Sequence, residues 1–177
     1  MGGRESPLPD EFYMRLALEQ AKLAYQQGEI PVGAVAVHGG QVIAQACNAK
    51  ERAKDPTAHA EMAAIRLAAQ HLGGWRLLGV TLYCTMEPCP MCAGAMIQAR
   101  LPRLVYAIDD PKAGAAGSIL DLLNHPQLNH QVEVTRGVLA DDANELLARF
   151  FRELRQGGLP QYSQAWRARR LAKRTEK

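Results

Sequence analysis

Long apolar runs are missing from this sequence. No stretch of about 18 apolar residues occurs, so no segment is long enough to cross a bilayer. The opening residues also lack the apolar core of a secretory signal. Both absences predict a protein that stays in the cytoplasm and has no membrane partner.

Cysteine is scarce, and its placement is uneven. The four cysteines are Cys47, Cys84, Cys89 and Cys92. A cytoplasmic chain of this size does not need disulfide bonds for stability, so we expect no disulfide framework. The last two cysteines are three residues apart, which is a spacing typical of metal ligation or of redox chemistry.

A strong excess of one charge is also lacking. The net charge is +3, so the chain as a whole is not a strongly basic nucleic-acid binder. The basic residues nevertheless gather after Trp166, where Glu176 is the single acid: they are Arg167, Arg169, Arg170, Lys173, Arg174 and Lys177. Such a segment either lies along phosphates or forms a solvated, frayed tail, and both interpretations stay open.

The sequence has no internal repeat and no interior linker, and 177 residues fit one domain. Residues 1–9 contain two prolines and few apolar side chains, which predicts a disordered N-terminal extension. We expect the globular domain to occupy residues 10–157. Residues 158–177 are the basic C-terminal tail.

Hydrophobic periodicity predicts the first two long helices. Asp10 is a plausible N-cap for a helix over residues 10–27, in which Phe12, Leu16 and Leu23 recur at helical spacing. A second helix is predicted over residues 58–72. Its apolar stripe is expected to consist of Ala60, Ala64, Leu67 and His71.

The remaining pattern alternates strands with helices. The predicted strands are 32–37, 41–44, 80–84, 103–108 and a weaker one at 131–135. The further predicted helices are 90–99 and 141–155. Gly39-Gly40 predicts a tight hairpin turn, and the strand–helix–strand order after residue 80 predicts a parallel pair. We therefore expect one α/β domain with a mixed sheet and helices on both faces.

Two helix starts carry the residues of a metal site. One reads Pro56-Thr57-Ala58-His59-Ala60-Glu61 and the other Glu87-Pro88-Cys89-Pro90-Met91-Cys92. Cys89 and Cys92 lie on one face of a first helical turn, where unpaired N–H groups favour thiolates. With the imidazole of His59 they make three ligands for Zn²⁺. Three protein ligands leave a fourth position for water, which is typical of catalytic zinc.

Glu61 has a different predicted role from the ligands. It is two residues from His59, a spacing that turns two helical side chains to nearly opposite faces. Glu61 is therefore a poor second ligand, and a carboxylate near the open position suits proton transfer. A lone histidine is more often a core or surface residue, and Cys-Pro-Met-Cys alone could be a redox pair. A redox motif does not predict His-x-Glu at another helix start, so the combination favours zinc.

Five stretches resemble the bacterial tRNA-specific adenosine deaminases of the cytidine-deaminase-like superfamily, over roughly residues 12–155. They are Pro31-Val32-Gly33-Ala34-Val35, Asp55 to Glu61, Glu87 to Ile97, Lys112 to Ser118, and Asn129 to Val134. The signature of histidine, glutamate and two cysteines is common to zinc-dependent base deaminases. The last two stretches indicate the tRNA branch.

The resemblance implies a three-layer α/β/α fold with a mixed five-stranded sheet, and a homodimer. Residues 10–157 would then be a zinc-dependent deaminase domain, a hydrolase that converts wobble adenosine (position 34) to inosine. Zinc-bound hydroxide would attack C6 of the flipped-out base. One Zn²⁺ per subunit would be held by His59, Cys89 and Cys92, with Glu61 as proton donor and shuttle.

The resemblance also implies contacts to the tRNA anticodon loop. Asn48 would bind the purine edge and Asp110 the preceding nucleotide. The other implied contacts are Lys112, His125, Asn129, and on the last helix Phe151, Arg152 and Arg155. For Asn48 a plain turn residue is the alternative, and for Lys112, His125 and Asn129 plain loop residues are.

Two rival functions stay open on the sequence. A free-base or nucleotide deaminase, such as a guanine deaminase, would have nearly the same metal residues. A non-catalytic RNA-binding protein could keep zinc for structure alone. Glu61 argues against the second rival, because a structural site needs no acid–base carboxylate beside an open position.

Overall fold

The structure, a computed structural model, describes residues 8–157. The predicted basic tail at 158–177 and most of the predicted extension at 1–9 lie outside the described residues. The elements in chain order are α1 Asp10–Gln26, β1 Gly33–His38, β2 Gln41–Cys47, α2 Lys50–Ala53, α3 Ala60–Leu72, β3 Val80–Met86, α4 Pro90–Gln98, β4 Arg103–Ile108, β5 Glu133–Arg136 and α5 Ala140–Gln156. None of these helices has the length and apolarity that a membrane crossing requires.

The five strands form one mixed sheet in the order β2-β1-β3-β4-β5. Strand β1 is antiparallel to both β2 and β3, whereas β3, β4 and β5 are parallel to one another. The parallel pair β3–β4 is joined through α4, as the strand–helix–strand pattern predicted. The carboxyl ends of β3 and β4 therefore open onto the same edge of the sheet, which is where loops of α/β domains carry function.

The hairpin between β1 and β2 turns on two glycines. Gly39 and Gly40 have φ angles of 56° and 80°, and His38 pairs with Gln41 to close the turn. A two-residue turn with positive φ at both positions matches the twist of the flanking strands, and glycine adopts it without a steric penalty. The predicted hairpin is confirmed.

Helices cover both faces of the sheet. On one face, α1 and α5 pack over the strand residues Val35 and Val105, and Tyr13 of α1 belongs to the same core. On the other face, α3 and α4 pack over a larger core that includes Leu82 and Leu104. The predicted three-layer α/β/α architecture is confirmed.

The helices approach the sheet through small residues, and this corrects the predicted apolar stripes. Phe12 and Leu23 are each 42% exposed and Leu67 is 43% exposed, while His71 is also exposed. Ala60 and Ala64 are buried as predicted. The other buried residues are Glu61, Ile65 and Ala68 on α3, and Tyr13, Met14, Ala17, Leu18, Ala21 and Ala24 on α1. Alanine side chains are small, so the alanines on the buried faces allow these helices to pack close to the sheet.

Gly33 shows how close α1 comes to the sheet. A Cβ atom at Gly33 would lie 2.1 Å from the carbonyl oxygen of Ala17 and 2.5 Å from the backbone nitrogen of Ala21. Only glycine leaves space for this contact between β1 and α1. The start of β1, which borders the site described below, is thereby fixed against α1.

Asp10 does not cap α1, contrary to expectation. Pro9 occupies the N-cap position without a side-chain cap, and Asp10 is the first residue of the helix. The Asp10 carboxylate accepts hydrogen bonds from Arg103 at 2.9 and 2.7 Å and from the hydroxyl of Tyr83 at 2.9 Å. The bond from Arg103 and that from Tyr83 lower the pKa of Asp10 against the opposing effect of burial. A long-range pair therefore replaces the predicted local cap.

Candidate metal centre and active site

Two helix N-termini meet at the carboxyl edge of β3. His59 is the N-cap residue of α3, and Cys89 is the N-cap residue of α4. Cys92 lies in the first turn of α4, after Pro90 at the first helical position. Proline suits that position because its φ is helical and it has no N–H that would need a partner.

The three side chains have the spacing of a tetrahedral metal site. The sulfur atoms of Cys89 and Cys92 are 3.7 Å apart, and His59 Nδ1 is 3.7 Å and 3.6 Å from them. Tetrahedral zinc with ordinary bond lengths would separate two sulfurs by about 3.8 Å and a sulfur from a nitrogen by about 3.6 Å. All three ligand atoms lie within 4.8 Å of one another, so this group could hold a metal ion.

The two cysteine thiols differ in acidity. The hydrogen bond from Cys92 lowers the pKa of Cys89 to about 4, and a bond to His59 adds to this effect. The thiolate of Cys89 and the burial of Cys92 raise the pKa of Cys92 well above its usual range. The bond to Cys89 also raises the pKa of His59. A divalent cation would displace these protons, because thiolate and neutral imidazole are the forms that bind metal.

Glu61 lies in the same cavity as the metal-binding group. It is 3% exposed, and its Oε2 atom has no hydrogen-bond partner. Burial raises the pKa of Glu61, so its carboxyl group can hold a proton at higher pH than an exposed one. An unpartnered buried carboxyl oxygen is costly in a folded protein and indicates a functional site.

The structure corrects the expectation that His59 and Glu61 point to nearly opposite faces. His59 has an extended backbone with φ −78° and ψ 150°, whereas Glu61 is in the helix. The helical spacing rule therefore does not apply between them, and both side chains line one cavity. Glu61 is still not part of the metal-binding group.

The cavity in front of this group has a volume of about 460 Å³. Its apolar lining comes from Ile30, Val32, Met86, Ile108 and Leu147. The volume lies in the range of small-molecule sites and would take a nucleobase. The arrangement places a partly apolar cavity in front of a metal-binding group, with the carboxyl group of Glu61 in the cavity wall.

Asn48 is buried in the cavity wall and is held there by a second carboxylate. Its Nδ2 donates a hydrogen bond to Glu29 at 3.3 Å. Glu29 is 1% exposed and also accepts from the backbone N–H groups of Glu51 at 3.2 Å and Arg52 at 2.6 Å. A plain turn residue has no need of this support, so the structure gives Asn48 a fixed position in the cavity.

Four of the predicted contact residues line the cavity, and four do not. Asn48, Asp110, Lys112 and Phe151 belong to its wall. Outside it lie His125, Asn129, Arg152 and Arg155. Asn129 accepts a hydrogen bond from Arg100 at 2.6 Å, and the ring nitrogen Nδ1 of His125 accepts one from the backbone of Gln127 at 3.3 Å.

Four polar residues of the cavity were not predicted from the sequence: Lys50, Glu87, Asp109 and Asn144. Lys50 begins α2, a helix of four residues that is too short to give a periodic signal. Asn144 reaches the cavity only because α5 packs across the sheet. Glu87 lies two residues before Cys89 in Glu87-Pro88-Cys89, and this closeness to a metal-binding residue is the sequence feature that could have indicated it.

The comparisons with known proteins agree with this geometry. The sequence matches the MafB19-like deaminase family over residues 9–155. The chain therefore belongs to this deaminase family. It is 48% identical over 147 residues to the tRNA-specific adenosine deaminase of Bacillus subtilis (strain 168), which covers 83% of this chain and 91% of that relative. Within the family, the chain is a member of the tRNA-specific adenosine deaminase group.

Solved structures show the same relationship. A structure from work on A-to-I editing by tRNA:A34 deaminases has 43% identity and a TM-score of 0.74, over 77% of this chain and 99% of that one. Guanine deaminase from Bacillus subtilis has 33% identity and a TM-score of 0.57, over 80% of this chain and 94% of that one. The chain is thus more similar to the tRNA deaminases than to this guanine deaminase.

Proposed function

We propose that this protein is a hydrolase that converts the wobble adenosine of a tRNA, at position 34, to inosine. The observation that carries the proposal is the metal-binding group of His59, Cys89 and Cys92. Two of its residues, His59 and Cys89, line the same cavity as Glu61, whose Oε2 has no hydrogen-bond partner. The tRNA-specific adenosine deaminases among its relatives support the substrate class.

The metal-binding group suits one Zn²⁺ per subunit. Its donors are one imidazole and two thiolates, which zinc prefers, and their separations are those of a tetrahedral site. Zinc bound there would supply a water molecule of lowered pKa as the nucleophile. His59, Cys89 and Cys92 would use three ligand positions, so the fourth would face the cavity that Glu61 also lines.

Glu61 is the proton carrier of the proposed reaction. Its Oε2 accepts a proton as the nucleophilic oxygen forms its bond to C6 of the adenine. The same carboxyl group then donates that proton to the ring nitrogen. It next takes the proton of the hydroxyl now bonded to C6 and donates it to the departing amine. The C6–N6 bond breaks and ammonia leaves, so water is consumed and inosine is formed. Burial raises the pKa of Glu61, which favours a role as a proton carrier.

The cavity wall orients the target base, and the surrounding surface binds the rest of the anticodon loop. Asn48 contacts the purine edge, Asp110 contacts the preceding nucleotide, and Phe151 offers a ring for stacking. Lys112 reaches the loop backbone from the cavity rim. The contacts to the anticodon loop outside the cavity are made by His125, Asn129, Arg152 and Arg155.

The resemblance to this family also supports a homodimer in the cytoplasm. In the same proposal, residues 10–157 are the deaminase domain, flanked by an N-terminal extension and a basic tail. A tRNA anticodon loop suits the cavity as a target, because an unpaired base costs less to extrude than a paired one.

The test is to incubate the zinc-loaded protein with an anticodon stem-loop that carries adenosine at the wobble position, and in parallel with free adenine and free guanine. Inosine is expected from the stem-loop only. Deamination of a free base, with none of the stem-loop, would overturn the proposal in favour of the free-base deaminases. A stem-loop with guanosine at the wobble position is the matched substrate control.

A further inference from the structure

Glu87 is a buried carboxylate that the proposed reaction does not use. It follows β3 directly and is 2% exposed. Its Oε2 accepts hydrogen bonds from the backbone N–H of Asp110 at 2.8 Å and from the hydroxyl of Ser118. Its Oε1 accepts from the backbone N–H groups of Ala116 at 2.9 Å and Ser118 at 3.1 Å. All four donors belong to a single segment, residues 109–118, which we call the rim loop.

These four bonds saturate the carboxylate. An ionised carboxylate offers about four acceptor sites, and the rim loop fills that number. Glu87 therefore differs from Glu61, whose Oε2 has no partner. A carboxylate with no free acceptor site cannot take a proton from water or bind a substrate group, although Glu87 lies in the cavity wall. All four hydrogen bonds of Glu87 come from the rim loop and hold it in place.

Gly114 provides independent evidence that the rim loop is fitted around Glu87. A Cβ atom at Gly114 would lie 2.2 Å from Oε2 of Glu87 and 2.6 Å from the carbonyl oxygen of Asp110. Gly114 does not have a left-handed φ, so the requirement for glycine arises from space alone. The loop closes on the carboxylate too tightly for any side chain at this position.

The rim loop carries two of the residues that face the substrate. Asp110 gives its backbone N–H to Glu87, while its Oδ1 accepts from the backbone N–H groups of Lys112 at 2.9 Å and Ala113 at 3.3 Å. Lys112 and Asp110 both line the cavity. Because Glu87 holds the backbone at both ends of the loop, it fixes where these two side chains meet the bound nucleotides.

We infer that Glu87 is a positioning residue for substrate binding: it anchors the rim loop so that Asp110 and Lys112 engage the nucleotides beside the target base. This inference rests on the proposed RNA substrate. Glu87 acts through the loop on substrate affinity and does not act on the metal group, although Cys89 is two residues away.

The decisive variant is Glu87→Gln, which keeps the shape but replaces one acceptor oxygen with an amide that cannot accept. We expect KM for the anticodon stem-loop to rise about tenfold, with kcat changed less than about threefold. Zinc content should stay at the wild-type value. Amide hydrogen exchange at Asp110, Ala116 and Ser118 should become faster, which is a readout independent of RNA.

Two further variants keep the test open if Glu87→Gln does not fold. Gly114→Ala forces the loop away from Glu87 and should raise KM in the same way. Its matched control is Gly74→Ala, because a Cβ at Gly74 meets nothing within 4 Å. Ser118→Ala removes one of the four donors and should give a smaller rise in KM, about twofold to threefold.

Each result has a distinct meaning. An unchanged KM, with unchanged amide exchange in the rim loop, would overturn the inference. So would a loss of zinc or a fall in kcat at constant KM, because these assign Glu87 to the metal group. If the wild-type protein forms no inosine at all, the proposed function fails, whereas the amide exchange still tests the anchor.

Discussion

Asn48 and Glu29 form a buried hydrogen-bonded pair, with Asn48 Nδ2 donating to the Glu29 carboxylate at 3.3 Å. The Glu29 carboxylate only accepts hydrogen bonds, so the group of Asn48 that faces it is the amide NH2 and not the amide oxygen. Glu29 therefore fixes the orientation of the Asn48 side-chain amide. The pair also holds the start of α2, because Glu29 accepts from the backbone of Glu51 and Arg52. One carboxylate thereby orders both a cavity residue and the segment that follows it.

The first prediction concerns this pair. Asn48→Ala should lower kcat/KM for the stem-loop by about 100-fold with zinc retained, because it removes the proposed contact to the base and leaves Glu29 short of a donor. Glu29→Gln should lower kcat/KM about tenfold, since the glutamine still accepts a hydrogen bond but orients Asn48 less firmly. Gln45→Ala, at an exposed position of β2, is the control and should behave like wild type. Equal activity of Asn48→Ala and wild type would refute the role of Asn48.

The second prediction concerns Glu61. Glu61→Gln should bind zinc at full occupancy but lose deamination by about 10³-fold or more, because the amide cannot carry a proton. Single-turnover inosine formation and zinc content would be measured on the same preparation. Turnover near the wild-type rate would remove Glu61 from the proton-transfer step.

The third prediction is metal removal. The purified protein should contain one zinc per chain, and a chelator should lower both activity and Tm, because a ligand that binds only the folded state stabilises it. Cys92→Ala should lose the metal. Cys47→Ala is the matched control, because Cys47 is a free cysteine outside the metal-binding group. Elemental analysis that finds zinc in Cys92→Ala, or none in wild type, would contradict the assignment.

Most of the architecture could be predicted from the sequence because its signals are local. The Gly39-Gly40 turn, β4 at 103–108 and the parallel pair β3–β4 follow from short patterns and from the strand–helix–strand order. The metal-binding group was also predictable, since Cys89 and Cys92 are in one turn and His59 opens another helix. The signals for these features are short sequence patterns, although the pairing of β3 with β4 and the approach of His59 to the cysteines are long-range contacts.

The wrong predictions concern features that are decided by contacts between residues far apart in the sequence. Phe12 and Leu67 were predicted to be buried, but the helices pack through alanines, and which side of a helix faces the sheet is decided by long-range contacts. Asp10 was predicted as a cap, but Arg103, far along the chain, provides a stronger partner. The support that Glu87 gives to the rim loop likewise becomes visible only when residues 110–118 fold back over it.

The fourth prediction is a pH dependence of stability. The hydrogen bonds from Arg103 and Tyr83 lower the pKa of Asp10, so the folded state favours the carboxylate. This contribution is present above the unfolded pKa of about 4 and is lost as pH falls through the lower folded pKa. Asp10→Asn should therefore lower the free energy of unfolding by about 1–2 kcal/mol at neutral pH, and this difference should shrink below about pH 4.

Urea unfolding of both proteins at matched zinc concentration would measure this difference. Glu19→Gln is the control, because the Glu19–Lys22 pair is exposed and should make no measurable contribution. A difference between Asp10→Asn and wild type that stays constant from neutral pH to pH about 3 would contradict the prediction, since it would not follow the titration of Asp10.

The fifth prediction tests the charge at the cavity. Lys50 lines the cavity at the start of α2, near His59, and was not suggested by the sequence pattern. If it meets a phosphate of the bound RNA, Lys50→Gln should weaken stem-loop binding and reduce the slope of log K against log salt by about one. Lys54→Gln is the matched control, because Lys54 follows the same short helix but is exposed and outside the cavity. Equal salt slopes for Lys50→Gln and Lys54→Gln would show that Lys50 contacts no phosphate of the bound RNA.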